Sequence, residues 1–149
     1  MKLVPTLLPV LVLAAPLAAT DIARIAYGEL KITPIMHGSL MLKFSGQAWH
    51  VDPWSQANYS ALPKADVILV TDIHGDHLDP KAIAAVRKAS TVIVAPAAVA
   101  KTVTEATVLN NGAKTTVGGI EIEAVPMYNL KRGLQPGKLY HAKGRGNAC

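Results

Sequence analysis

Cysteine is almost missing from this chain. Of 149 residues one is Cys, the terminal Cys149. A disulfide framework and a Cys-based zinc site are therefore both excluded within the sequence. Aromatic residues are scarce as well, at 5%. They are not interleaved with basic residues, and no nucleic-acid-binding motif is present. No internal repeat or low-complexity segment occurs. An unbroken long apolar run is also lacking. Leu3 to Leu17 is apolar, but Pro5, Pro9 and Pro16 interrupt it and argue against one continuous membrane helix. With Lys2 as a charged start, residues 1–19 read instead as a secretory signal cleaved near Ala18-Ala19. Residues 20–149 then form a secreted or periplasmic domain with no stable membrane span. An uncleaved anchor is the alternative.

Half of the residues are hydrophobic, which excludes a disordered chain and allows one domain with a modest core. The net charge is +5 and the pI about 9.4. Lys131, Arg132, Lys138, Lys143 and Arg145 crowd towards the C-terminus. Such a cluster suits anionic substrates or nucleic acid. Without a nucleic-acid motif the solvated basic surface is the favoured reading, and no nucleic-acid partner is expected.

The informative stretch is Thr71-Asp72-Ile73-His74-Gly75-Asp76-His77-Leu78-Asp79. Two His and three Asp fall within eight residues, directly after the apolar run Val67-Ile68-Leu69-Val70. That run reads as a short buried strand, and α/β sheets place chemistry at strand ends. Asp72 and His74 are two apart, so in extended backbone they point the same way. Gly75 permits a sharp turn, after which Asp76 and His77 face a second point. Carboxylate oxygen and imidazole nitrogen both bind divalent ions, at about 2.0–2.2 Å for zinc. One loop can thus seed two metal sites, which in two-metal hydrolases lie roughly 3.5–4 Å apart. A polar loop ending in a helix cap is the simpler reading. It accounts for Asp79, which precedes Pro80 as an N-cap precedes a first-turn proline, but not for the other four residues.

The cluster resembles the metallo-β-lactamase superfamily, whose signature is H-x-H-x-D-H after a buried strand. It reads here as Asp72-x-His74-x-Asp76-His77, with Asp in place of the first His. His37-Gly38-Ser39, His50-Val51-Asp52-Pro53-Trp54 and the tail Tyr140-His141-Ala142-Lys143-Gly144-Arg145-Gly146-Asn147 are similar to the lactonase-like branch that includes ascorbate-6-phosphate lactonase. The resemblance runs from about Leu30 to Asn147. It implies a mixed α/β (α+β) chain folded as an αββα sandwich, of which this sequence supplies roughly the first half.

The same resemblance implies Asp72, His74 and His141 as ligands of one ion and Asp76 with His77 as ligands of another. Asn129 stands where many metallo-hydrolases carry a loop His, so His141 is the candidate third ligand. Asp76 is the candidate catalytic residue, holding the second ion and orienting the nucleophile. Asp52 is placed near the metal loop, where it can hold a ligand by hydrogen bond. His37 and Asp79 are further candidates for supporting or substrate-facing roles, though His37 is equally well a loop His without one. Zinc is the expected ion, with manganese or iron as alternatives, up to two in a full-length protein. The implied reaction is metal-dependent hydrolysis of a small lactone, ester or phosphoester. The Asp at the first ligand position argues against β-lactam hydrolysis. A secreted, non-catalytic binding module is the alternative, and a nuclease ranks last. A bridging carboxylate and a last His, which the family carries later, have no counterpart before Cys149. The expectation is a truncated chain with little or no activity by itself and an uncovered sheet face.

Around the metal loop the pattern predicts strands over Leu30 to Met36, Ser39 to Phe44, Gln47 to Val51, Asp66 to Thr71 and Thr91 to Ala95. Helices are expected from Pro80 to Ala89, with Ile83, Val86 and Arg87 packing, and from Pro96 towards Glu105. A short strand over Thr107 to Leu109 and a hairpin around Gly118-Gly119 follow. Met127 to Gly146 reads as loop.

Overall fold

The structure is a computed structural model and describes residues 19–25 and 28–148. All but the last residue of the expected signal, and Cys149, lie outside the described residues.

The first four strands form an antiparallel meander: β1 (Asp21–Ile25), β2 (Gly28–Met36), β3 (Ser39–Phe44) and β4 (Gln47–Val51). Tight turns join β2 to β3 and β3 to β4. The second turns on Ser45 and Gly46, both at positive φ (48° and 76°), a backbone twist that suits two-residue hairpins. After β4 the direction of pairing changes. β5 (Ala65–Leu69), β6 (Arg87–Ala95) and β7 (Thr107–Val108) run parallel to β4 and to each other, giving a seven-stranded sheet in chain order. Helix α1 (Pro80–Val86) connects β5 to β6, and α2 (Ala97–Ala100) lies between β6 and β7. Parallel strands leave a sheet at the same end. The pairing Val51↔Leu69↔Val94 therefore brings the exits of β4, β5 and β6 side by side.

Alternation along β5 divides the core. Val67 and Leu69 face one side with Phe44, Trp49, Val94 and Leu109. The hairpin of β8 (Lys114–Val117) and β9 (Ile120–Glu123) covers that side through Val117 and Ile122. Ile68 and Val70 face the other side, where Ile83 and Val86 of α1 and Val99 of α2 cover them. Burying such side chains on both faces contributes about 1.5–3 kcal/mol each and explains the unbroken apolar run of β5. The expected uncovered face is thus partly closed. What the hairpin leaves open is a cavity of about 340 Å³ lined by Leu30, Leu42, Phe44, Trp49, Ile120 and Ile122.

Several boundaries differ from expectation. Helix α1 starts as foreseen: the Asp79 carboxylate accepts from the N–H of Lys81 (3.0 Å) and of Ala82 (3.2 Å). It ends at Val86 rather than Ala89, because Arg87 is already extended (ψ 159°) and pairs with Ala65 across β5 and β6. Arg87 does not pack inward but bridges to Glu105 at 2.6 Å. The second helix is only four residues long, with turns following it. Strand β1 had no periodic apolar signal, since all five residues are exposed on an edge strand. The expected loop from Met127 to Gly146 contains one small ladder and is closed at its ends by another. β10 (Val125–Met127) pairs with β13 (Gly146–Ala148), and β11 (Gly133–Gln135) with β12 (Lys138–Leu139). The mixed α+β, sheet-rich organisation stands.

His50 shows how tightly the sheet is packed. It is buried, its Nε2–H donates to the Pro63 carbonyl at 3.0 Å, and its Nδ1 has no partner among the described residues. Burial pushes its pKa below 6.5, against the smaller upward effect of the Pro63 carbonyl. A depressed histidine stabilises the fold fully above its unfolded pKa and loses that contribution as pH falls towards the folded value. His77, shifted the other way, opposes this in the parent protein. A comparison with His50→Gln cancels that opposition. The stability advantage of the parent over the variant should shrink below about pH 6.5, by at most about 1.4 kcal/mol per pH unit, in urea melts across pH 5–8. A pH-independent difference contradicts the assignment.

Candidate metal centre

The site grows from the shared strand exits. Past β4, Asp52 adopts φ 44° and donates its N–H to Leu69 O at 2.9 Å. Its carboxylate then accepts from Thr71 N (2.8 Å), Thr71 Oγ1 (2.6 Å) and His77 Nδ1 (2.8 Å). The Ser39 hydroxyl donates to the Asp52 carbonyl from the neighbouring strand. One buried carboxylate thereby fastens both ends of the loop to the sheet. Because Asp52 holds Nδ1, the His77 ring presents Nε2 to Asp76 Oδ2, 3.8 Å away. The Asp52 hydrogen bond also raises the His77 pKa. Burial opposes it, and the charges of Asp52, Asp76 and Asp72 add to it.

Asp72 follows Thr71 and is fully buried. Its Oδ1 accepts from Ile73 N at 2.6 Å. Its Oδ2 is the point of convergence, 3.2 Å from His141 Nε2, 3.6 Å from His74 Nδ1 and 3.2 Å from Arg145 Nη2. The His74 and His141 rings meet edge to face, with centroids 4.7 Å apart. Donor atoms of Asp72, His74 and His141 all lie within 4.8 Å of one another, the one such trio among the described residues.

Asn129 orients the third member. Its Oδ1 accepts both the His141 backbone N–H and the His141 Nδ1–H, each at 2.9 Å. A proton on Nδ1 leaves the Nε2 lone pair facing the Asp72 carboxylate. Two electron-rich groups at 3.2 Å repel unless a cation or proton lies between them. One carboxylate and two imidazoles, one of them held by an amide oxygen behind it, suit a divalent ion with an open coordination position.

Asp76 sits apart from this trio. His37 Nε2 reaches its Oδ2 at 2.9 Å from the turn between β2 and β3, and the His37 ring lies 6.0 Å from Trp54. Burial pushes the Asp76 carboxyl up, but its own backbone N–H, the His77 charge and the His37 hydrogen bond together hold it below the usual range. Asp76 and His77 form a pair beside the trio and, among the described residues, no third metal-type donor completes it. Asp79 serves the loop differently from the other acids. Besides capping α1 it accepts from Ser55 N at 2.8 Å, which ties the Trp54-Ser55 segment to the helix. Its hydrogen bonds run to Ser55, Lys81 and Ala82 rather than to the trio. Two residues gained roles that sequence reasoning missed, Asn129 and Arg145. The signal for Asn129 was that it stands where many metallo-hydrolases carry a loop His, which does not by itself give it the role of orienting His141. Arg145 stood in the basic tail and in the Tyr140–Asn147 stretch of the family resemblance, with no role assigned to its side chain.

A sheet of mixed direction, helices on one face and a histidine–aspartate loop at the strand exits define a metallo-β-lactamase-type scaffold. The chain belongs to the beta-lactamase superfamily, whose domain model matches residues 31–144. Among solved structures, a protein from Parabacteroides distasonis, provisionally described as a metal-dependent hydrolase, is 45% identical with a TM-score of 0.80. The match covers 88% of this chain and 60% of that one. Igni18, a metallo hydrolase from the hyperthermophilic archaeon Ignicoccus hospitalis, is 18% identical with a TM-score of 0.60, over 79% of this chain and 53% of its own, and supports the fold alone. This chain therefore spans between half and two thirds of the length of the solved relatives it matches. Among curated proteins, none matches.

The Asp52 staple has a direct test that needs no metal. Asp52→Asn keeps the shape but removes the charge that raises His77. The His77 pKa, followed by NMR titration of its ring protons, should fall towards 6.5. An unchanged His77 titration contradicts the arrangement.

Proposed function

We propose that this chain is the metal-binding portion of a metal-dependent hydrolase. The observation that carries the reading is the convergence of Asp72, His74 and His141 on one point around a buried carboxylate. Family membership and the described activity of the 45%-identical relative support it. A divalent ion there, for which zinc is the first choice and manganese or iron the alternatives, would supply Lewis acidity at a carbonyl or phosphoryl oxygen and activate water near neutral pH.

The chain's own residues supply the rest. Asp72 and His74 leave the strand on one side, and His141 closes the trio from the C-terminal segment, oriented by Asn129. Asp76 and His77 are proposed as the chain's share of a second ion site, with Asp76 as the catalytic residue that orients the attacking water. Asp52 holds His77 in place, and His37 holds Asp76. His37 and Trp54, whose rings lie 6.0 Å apart beside Asp76, are proposed as substrate-facing groups. The substrate class is a small lactone, ester or phosphoester. Since the solved relatives are longer than the stretch this chain matches, the whole protein's activity is proposed to need further ligands, and the 149-residue chain to turn over slowly or not at all. Residues 1–19 are proposed as a secretory signal on composition. Among the described residues, no helix is long and apolar enough to cross a membrane.

The test is metal binding first and turnover second. The chain should bind about one equivalent of zinc, and His74→Ala with His141→Ala should abolish it. Asn129→Ala should weaken it about 10–100-fold, the usual cost of losing a ligand's orienting partner. Zinc content unchanged in the double variant rejects the reading. Hydrolysis of a lactone or phosphodiester by the 149-residue chain far faster than by Asp76→Ala with His77→Ala would show that the chain needs no further ligands.

A further inference from the structure

We propose that Arg145 is a built-in competitor of the metal ion, a guanidinium counter-ion that a divalent cation must displace from Asp72. The inference rests on the metal centre proposed above and concerns what controls its affinity. Arg145 Nη2 lies 3.2 Å from Asp72 Oδ2 and 3.3 Å from His74 Nε2. It therefore touches two of the three donors, and on the carboxylate it uses the same oxygen that faces His141. A guanidinium keeps its charge at any pH at which the protein is folded and only donates hydrogen bonds. It satisfies the buried carboxylate as a cation does, and its second contact, to His74 Nε2, sets its charge against the ring whose Nδ1 faces Asp72.

Three features mark this as a displaceable contact rather than a fixed brace. Arg145 Nε is buried without a partner among the described residues, so the guanidinium is held by one end only. The contact to Asp72 is single, not the two-pronged pairing by which arginine binds carboxylates most firmly. The backbone beneath it is secured independently. Asn147 N donates to Thr71 O at 3.1 Å, Asn147 Nδ2 donates to Leu109 O at 2.8 Å, and β13 pairs with β10. Gly146 packs so closely that a Cβ there would lie 2.9 Å from Thr71 O. The side chain can then swing away while the loop stays. Part of it is already solvent-accessible, which offers a route out.

Two consequences follow from competition. Metal binding must break the Arg145–Asp72 contact, and any guanidinium left nearby repels the ion, so both effects lower affinity. Removing the charge should raise it, by a factor within the roughly 5–150-fold span of such couplings. The same substitution leaves Asp72 as a buried, poorly neutralised carboxylate when no metal is present, which destabilises that form.

The experiment titrates zinc against a competing chelator, at fixed pH and ionic strength, into the 149-residue chain and into Arg145→Met, Arg145→Lys and the His74→Ala, His141→Ala double variant. Thermal midpoints are recorded for each with chelator and with zinc. Arg145→Met should bind zinc at least about fivefold more tightly, have a lower midpoint in chelator, and match the parent when zinc-loaded. Arg145→Lys keeps a charge to offset Asp72, so it should fold even if the Met variant does not. Its single ammonium cannot span Asp72 and His74 in the same plane, and its affinity should fall between the other two. A merely structural arginine predicts the reverse, weaker zinc binding and lower midpoints in both states. Equal or weaker binding by Arg145→Met, or by Arg145→Lys where Met does not fold, overturns the proposal while leaving the metal centre intact. If neither the parent nor the Arg145 variants bind zinc better than the double variant, the metal centre itself falls and this inference with it.

Discussion

A carboxylate sealed from water at the exit of a core strand governs this structure. An ionised Asp72 in a low-dielectric surrounding is costly unless donors and cations meet it. The loop itself supplies one donor, the N–H of Ile73. The His74 ring, from the same loop, stands 3.6 Å away, and the remaining partners, His141 and Arg145, arrive from the C-terminal segment. The return of that segment to the sheet is therefore coupled to the charge it neutralises. Gly146, which has no room for a side chain against Thr71, and Asn147, which bonds both Thr71 and Leu109, make the close approach possible.

Asp52 is the second fixed point and works by different means. Its carboxylate is satisfied by hydrogen bonds from Thr71 and the His77 ring rather than by an arginine or lysine. It transmits the geometry of the sheet to the loop, since its own position follows from β4 lying parallel to β5. Thr71 joins the two carboxylates, bonding Asp52 through its N–H and hydroxyl and preceding Asp72 in the chain. The trio around Asp72 and the pair of Asp76 and His77 are therefore held at a common separation by the backbone of a few residues. The β8–β9 hairpin leaves an apolar cavity of about 340 Å³ on the other sheet face.

Much of this was legible in the residues. The buried run of β5, the polar cluster after it, the cap at Asp79 and the glycine hairpin of β8 and β9 all follow from local pattern: apolar continuity, ligand-type spacing and turn chemistry. Misplaced features have two causes. Helix α1 was drawn too long because Lys88 and Ala89 are good helix formers, whereas pairing of Arg87 with Ala65 drew that segment into the sheet. Strand β1 and the β11–β12 ladder were invisible because exposed strands need no apolar alternation, and β13 was invisible because its buried residues are Gly146 and Asn147 rather than apolar side chains.

The sequence by itself determined the chemistry available: which donors exist, which of them sit on one loop, and that the loop leaves a core strand. These are matters of identity and short spacing, and backbone geometry converts them directly into direction. The grouping of Asp72 with His74 and His141 was already implied by the family resemblance, and the structure brings the three together. Only the tertiary structure decided what stands around them. Asn129 stands behind His141 as its orienting partner, and Arg145 points into the site instead of into solvent. The Asn129–His141 and Arg145–Asp72 pairings span twelve and seventy-three residues, and nothing in local pattern ranks one distant partner over another. The choice is made by the electrostatic requirement of one buried carboxylate and by the sheet register that sets its neighbours.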